Sequence, residues 1–323
     1  MKYLGMKRIF SVLTVIVLSL FLTNVNGQQE AHFTQNMFNN IYYNPGFAGN
    51  VGGICATGLV RQQWVGFNDQ DGNNVAPNTY TVSIASPVNL LHGGVGLNIY
   101  NDKLGFTNEI GVKIMYAYRM DLGMGNLGIG LQVDFINQTI DFASLNEGAN
   151  QQGDPLLIGA EDASDMIFDL GFGLHYMVPG KFYVGMSSTR ILESQATKLN
   201  NYQYKRHYFF TGGYQYTFPN NPSFELDPSL LIKSDGVKTQ FDLATLLKYN
   251  NKVWGGVSYS TFKVTDPFAV ILGMKIKDIK IGYAYTIPTS SIGSSGSHEV
   301  MVGYCFKINM DRGRSSYKNT RFL

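Results

Sequence analysis

The chain has 323 residues, of which 44% are hydrophobic, 13% aromatic and 15% charged, with a formal net charge of +2. So small a net charge makes no case for nucleic acid or an acidic substrate as partner. A mean hydropathy of −0.07 excludes a bundle of membrane helices but leaves a β-barrel open, because barrel strands dilute their apolar face with polar lumenal residues.

Lys2, Lys7 and Arg8 precede an apolar run from Ile9 to Leu22, and Thr23, Asn24, Val25, Asn26 and Gly27 follow it. A basic start, an apolar stretch and a small-residue exit read as a secretory signal over 1–27, cleaved after Gly27. The run is short for an anchor helix of ~20 residues. Residues 28–52 are expected to form a short N-terminal periplasmic segment.

From Gly53 to Phe306 the hydrophobic pattern alternates residue by residue. In one stretch Ile110, Val112, Ile114, Tyr116 and Tyr118 share a register, while Glu109, Gly111, Lys113, Met115 and Arg119 share the other. Successive side chains on a strand point to opposite faces, so each such segment has an apolar and a polar face. The pattern predicts about fourteen strands: 53–64, 78–86, 93–102, 108–120, 126–138, 166–178, 181–189, 206–218, 224–233, 239–249, 252–259, 268–276, 279–287 and 298–307. Their connections alternate between long (Val65 to Pro77, Thr139 to Asp165) and tight (Pro179-Gly180, Asn250-Asn251, Lys277-Asp278), with Asp235-Gly236 a tight turn on the long side. Two-residue turns of this kind suit hairpins. Tyr118, Phe182, Phe218, Phe224, Tyr249, Tyr304 and Phe306 gather at the short-turn end, as a lipid interface collects aromatics. A soluble β-sandwich has no reason to place them so.

The expected fold is all-β: a transmembrane antiparallel up-and-down β-barrel of about 14 strands over 53–308, with a short C-terminal tail over 309–323. An even strand count returns both termini to the periplasmic side of the outer membrane. The inward register holds Arg61, Glu109, Lys113, Arg119, Asp134, Asp169, Asp242, Lys248, Lys275, Lys280 and Glu299. A selective pore displays an excess of one sign. Charges of both signs pair instead, which favours a plugged or structural barrel over an open porin. The tail carries Arg312, Arg314, Lys318 and Arg321 and reads as a solvated extension or a docking element for a periplasmic partner.

Motifs for chemistry are mostly negative. Gly123-Met-Gly125-Asn-Leu-Gly128 matches the dinucleotide fingerprint by letter, but that motif needs a following helix and here a strand pattern follows. Asp69-Gln-Asp71-Gly72-Asn73-Asn74 lacks the spaced carboxylates and closing Glu of an EF-hand. Asp141, Glu147, Asp154, Glu161, Asp162 and Asp165 read as loop surface charge. His32, His92, His175, His207 and His298 are scattered, and neither HExxH nor Gly-x-Ser-x-Gly is present. No catalytic, metal or cofactor site is expected, and the chain reads as a non-enzyme.

Cys55 lies near the start of the first strand and Cys305 near the end of the last. A closed barrel pairs those strands, so the two cysteines are expected close together, bridged or unbridged. Directly paired residues lie ~4.5–5.5 Å apart, within reach of a disulfide that an oxidising periplasm would preserve.

The run Tyr42-Tyr43-Asn44-Pro45-Gly46-Phe47-Ala48-Gly49, then Leu59-Val60-Arg61-Gln62-Gln63-Trp64, resembles the opening of PorP/SprF-type membrane proteins of the type IX secretion system. Asn101-Asp102-Lys103-Leu104-Gly105, Phe168-Asp169-Leu170-Gly171-Phe172-Gly173 and the terminal Arg321-Phe322-Leu323 extend the resemblance over nearly all the mature chain. The family usually has Ala where Gly46 stands. The resemblance implies an outer-membrane component of Bacteroidota secretion and gliding machinery. Its implied partners are outer-membrane lipid, C-terminal domains of secreted adhesins for export or anchoring, and periplasmic ring lipoproteins. Asn44, Pro45, Arg61, Trp64 and Asp102 are the candidate partner-binding or motif residues. The alternative function is a passive uptake channel of the porin or hydrophobe-transporter kind.

Overall fold

The computed structural model describes residues 30–68, 75–141, 163–199, 202–261, 266–290 and 295–307. The expected signal segment, the 69–74 motif, all but the ends of the acidic loop and the basic tail lie outside the described residues.

The strands are β1 Gly53–Gln62, β2 Asn78–Val88, β3 Gly93–Leu104, β4 Thr107–Leu122, β5 Gly125–Ile140, β6 Ala163–Val178 and β7 Phe182–Thr189. They continue as β8 His207–Tyr214 (extended by Tyr216–Thr217), β9 Phe224–Ser234, β10 Thr239–Tyr249, β11 Val253–Ser260, β12 Phe268–Ile276, β13 Ile279–Thr286 and β14 Ser297–Lys307. Each pairs antiparallel with the next, and β1 pairs with β14, so fourteen strands close into a barrel. A further two-residue hairpin, Gln195–Ala196 with Tyr202–Gln203, sits in the long loop after β7. Beside the tight turn at 235–238, the link over 105–106 is a second short connection at the long-loop end.

The two faces divide as their side chains demand. Lys113 is 1% exposed while Ile114 beside it is 52% exposed, and Ile99, Leu131, Val257 and Val302 stand out on the same outer surface. An apolar belt facing outward with charges facing in is the arrangement of a barrel whose solvent is lipid. At the short-turn end aromatic rings meet, Phe224 with Tyr249 at 5.0 Å and Tyr304 with Phe306 at 4.5 Å. Ile114 sits mid-strand, so Ile114→Arg is expected to cost ~2–4 kcal/mol. Lys113→Ile is expected to fold poorly for a different reason, given below. Equal folding yields of Ile114→Arg and Ile114→Leu in lipid vesicles would refute the assignment of faces.

The β1–β14 seam runs in register from Gly53 opposite Lys307 to Gln62 opposite His298. Cys55 stands opposite Cys305, Cα atoms 4.0 Å apart, and their sulfurs are joined. Protein from an oxidising compartment is expected to show no titratable thiol until reductant is added. Thiols that titrate without reductant and resist a short bifunctional crosslinker would contradict this register.

One expectation is corrected. Residues 30–52 are not a periplasmic segment: they run through the lumen. Phe33, Ile41, Tyr42, Tyr43 and Ala48 are all at most 3% exposed. The physical reason is size. Eight strands leave an interior that side chains can fill, whereas wider barrels need a channel or a plug.

Candidate functional site: the lumenal plug

The plug is built from short turns. Asn36–Phe38 and Pro45–Phe47 form single 3-10 turns, and Asn40–Tyr43 forms one α-turn between them. Pro45 opens the last of these, where its missing N–H costs nothing, and Asn44 caps it, Oδ1 accepting from Gly46 N at 2.8 Å. The segment descends from Glu30, near the long-loop end, to Gly53 at the short-turn end.

The upper part is a charged collar. The Glu30 carboxylate lies 3.5 Å from Lys113 Nζ and 3.6 Å from Arg190 Nε, and accepts from Thr189 Oγ1 at 2.8 Å. Lys233 donates to the Glu30 carbonyl. Glu299 accepts from the backbone N–H of Thr34 at 2.7 Å and of Gln35 at 2.8 Å. Asp242 accepts from Asn36 Nδ2 at 2.7 Å. Arg61 donates to the His32 carbonyl. Burying so many charges is costly unless each finds a partner. Arg61, Lys113, Asp242 and Glu299 thus pair with the plug, while on the wall itself Arg190 also holds Glu109 at 2.8 Å and Lys248 pairs with Glu225 at 3.1 Å and with Asp227. Burial alone would raise the Glu30 carboxyl, but Lys113, Arg190, His207 and Lys233 outweigh it and hold it below the ordinary carboxylate range.

The middle is aromatic. Phe33, Tyr42 and Tyr43 pack with Leu59, Tyr100, Phe209, Leu231, Leu246, Trp254, Ile271 and Met301, a set drawn from β1, β3, β8 to β12 and β14. Tyr42 meets Phe33 edge-on at 5.3 Å and Tyr100 at 5.8 Å. Lys113 Nζ lies 4.3 Å from the centre of the Tyr42 ring, adding a cation–π contact to its carboxylate. Lys113→Ile would strip Glu30 of that partner.

The lower part is a backbone-to-backbone contact. Inward-facing glycines on β3, β5, β6 and β7 let the Asn44–Gly49 turn lie on the wall. A Cβ at Gly94 would come within 2.2 Å of Gly49 Cα, at Gly128 within 2.2 Å of Gly46 O, and at Gly130 within 2.3 Å of Pro45 C. At Gly173 it would meet Asn44 Oδ1 at 2.1 Å. The Asn44 amide then donates to the carbonyls of Leu174 at 2.9 Å and Met186 at 3.3 Å. Even at Gly46 a Cβ would lie 2.9 Å from His175 N, so this chain seats the turn closer than Ala would comfortably allow.

Of the residues singled out by sequence, Asn44 and Pro45 form the plug's lower turn, and Arg61 lies on the wall of the upper collar, on the His32 carbonyl. Trp64 does not: it lies past the end of β1 at the long-loop end, φ 50°, with Phe67 at 6.1 Å and its N–H donating to Ser297 Oγ at 3.1 Å. Asp102 accepts from Thr79 Oγ1 at 2.7 Å on the wall. Sequence reasoning missed Glu30, His32, Asn36 and the glycine track. Of the look-alike fingerprint, Gly123 is a turn residue at φ +60° and Gly128 is wall under the plug. His298 is met by the Tyr283 hydroxyl at 2.6 Å on its ring nitrogen Nδ1. Asp165 accepts from the N–H of Lys198 at 3.1 Å, tying the loop after β7 to β6.

The family profile for "Type IX secretion system membrane protein PorP/SprF" matches residues 25–304. No curated protein matches the chain. Among solved structures, the Ralstonia pickettii toluene transporter TbuX is similar at 13% identity and a TM-score of 0.49, over 82% of this chain and 93% of that one. The Acinetobacter baumannii outer membrane protein Omp33 is similar at 9% identity and a TM-score of 0.45, over 80% of this chain and 100% of that one. A Pseudomonas aeruginosa FadL homologue is similar at 11% identity and a TM-score of 0.43, over 81% and 93%.

Proposed function

Because the chain belongs to the PorP/SprF family of type IX secretion system membrane proteins, we propose that it is a non-enzymatic docking barrel of that machinery in the outer membrane. The observation that carries this reading is the plug. A segment of the chain itself occupies the lumen from the charged collar to the glycine track, and most of the buried wall charges serve to hold it. A channel needs a continuous wet or apolar path, and a lumen spent on packing leaves the two rims to do the work.

On this reading the short turns and the end of β14 face the periplasm and meet ring lipoproteins. The long loops face outward and meet the C-terminal domains of secreted adhesins. A deletion strain is expected to lose surface display of a particular secreted protein. The purified barrel should migrate differently on gels when boiled and unboiled, and show no steady single-channel conductance in planar bilayers. A large steady conductance, with unchanged surface proteins in the deletion strain, would install the uptake channel in its place.

A further inference from the structure

At the short-turn mouth the plug leaves a hollow of about 470 Å³ between its own Gly49 and the wall, lined also by Pro87, His92, Gly93, Arg119 and Asn126. That size falls within the ~300–1,000 Å³ of ligand pockets. Arg119 is half-buried there. One guanidinium nitrogen donates to Ala48 O at 3.3 Å and the other to Asn50 Oδ1 at 2.6 Å, both neutral acceptors. Among the described residues no carboxylate lies within ion-pair distance of it. Asp121, two positions on, is exposed and accepts from Asn126 Nδ2 at 3.1 Å. The other amide atom of Asn126, Oδ1, is buried without a partner. The hollow thus presents a guanidinium with donors to spare, an open acceptor beside it and the exposed imidazole of His92.

Its rim is apolar and fixed. Leu90 is 88% exposed, Leu91 51% and Met124 74%, all on the two turns that border the hollow. The Tyr116 hydroxyl donates to Leu91 O at 2.7 Å, and the Tyr176 hydroxyl donates to Leu122 O at 3.0 Å, pinning both turns to aromatic side chains of β4 and β6. Large apolar side chains exposed together on turns around a cationic hollow mark a contact surface rather than solvated turns.

We propose that this mouth docks a polypeptide through a carboxylate, an acidic side chain or chain terminus, which pairs with Arg119 while flanking apolar side chains cover Leu90, Leu91 and Met124. Guanidinium matches carboxylate in a two-bond fork, and Asn126 Oδ1 accepts an N–H of the same chain. A free small anion would use the first contact and leave the rim idle. The proposal rests on the docking reading above and names its periplasmic partner's chemistry.

The test uses full-length protein in nanodiscs and three fluorescent peptides, Leu-Leu-Glu-Leu-Leu, Leu-Leu-Gln-Leu-Leu and Ser-Ser-Glu-Ser-Ser, each amidated at its C-terminus so that the Glu side chain is the one carboxylate offered, read by anisotropy. The first is expected to bind about tenfold or more tightly than either of the others. Arg119→Met is expected to abolish the preference for Glu over Gln. Because Arg119 also holds the plug, a second variant, Leu90→Ser with Met124→Ser, keeps the guanidinium and is expected to lose the preference for Leu over Ser. Equal binding of all three peptides to wild type would overturn the proposal. So would acetate competing as well as the first peptide, which marks an anion site only, or loss of binding when anionic lipid is left out of the nanodisc. A deletion strain that keeps its surface proteins would overturn the docking reading and leave the peptide result intact.

Discussion

Glu30→Gln is expected to destabilise the folded barrel by about 3 kcal/mol and to release the upper plug. The substitution keeps shape, removes the charge and turns one of two acceptor oxygens, both of which face donors, into an NH2 donor. Lys113 and Arg190 would then remain buried with one fewer counter-ion, and breaking a buried pair in this way costs about 3–5 kcal/mol. The lower end applies because Arg190 keeps Glu109 at 2.8 Å and Lys113 keeps Asp134 opposite it across the β4–β5 ladder. The Glu30 carboxyl is held below its ordinary value of 4.5. Its contribution is therefore complete above that value and is lost as pH falls from there through the folded value. The gap in urea midpoint between wild type and Glu30→Gln should hold steady from about pH 5 to 8 and narrow in stronger acid. Matching midpoints at pH 7, or a gap that widens in acid, would show that Glu30 does not anchor the plug.

The barrel was legible in the sequence because strand geometry has a short, strict period. Lys113 next to Ile114, or Asp242 next to Leu243, reports both faces from adjacent letters, and turns such as Asn250-Asn251 mark where the chain reverses. Loop conformation was less so: Trp64 read as the last residue of β1, yet its positive φ puts it beyond the ladder. The plug was hidden for a different reason. Its three turns are too short to impose a period, and its partners stand far along the chain, Thr34 on Glu299 and Asn36 on Asp242. One signal was present and unused. Gly94, Gly96, Gly128, Gly130, Gly173 and Gly185 all fall on the inward register of β3, β5, β6 and β7, and a glycine inside a strand marks a close approach by another backbone. Six of them on one side of the wall outline the path of a segment lying against it. The lumenal charges were legible as a set, but not their partners.

That glycine track sets the second large effect. Gly130→Ala is expected to unseat the Asn44–Gly49 turn while the wall stays closed. The new Cβ would stand 2.3 Å from Pro45 C and 2.4 Å from Gly46 N, both backbone atoms with no rotamer to move aside. Relief requires the turn itself to lift, which breaks the bonds from Asn44 to Leu174 O and Met186 O. Overpacking typically costs ~1–3 kcal/mol, and a clash between two main chains belongs at the upper end. Gly171→Ala meets Gln132 Cβ at 3.2 Å and Ser188 O at 3.3 Å, contacts relieved by a shift of a few tenths of an ångström, and Gly58→Ala finds nothing closer than 3.9 Å. The loss of stability should rank Gly130, then Gly171, then Gly58. Strand content and the gel shift on boiling should survive in all three, since the β4–β5–β6 ladders do not depend on the plug. Protease added from the short-turn side should cut between residues 41 and 51 in Gly130→Ala and spare the other two. Equal protection of that segment in all three variants would mean that the turn does not rest on the wall at Gly130, and the plug would have to be held by the charged collar and the aromatic layer alone.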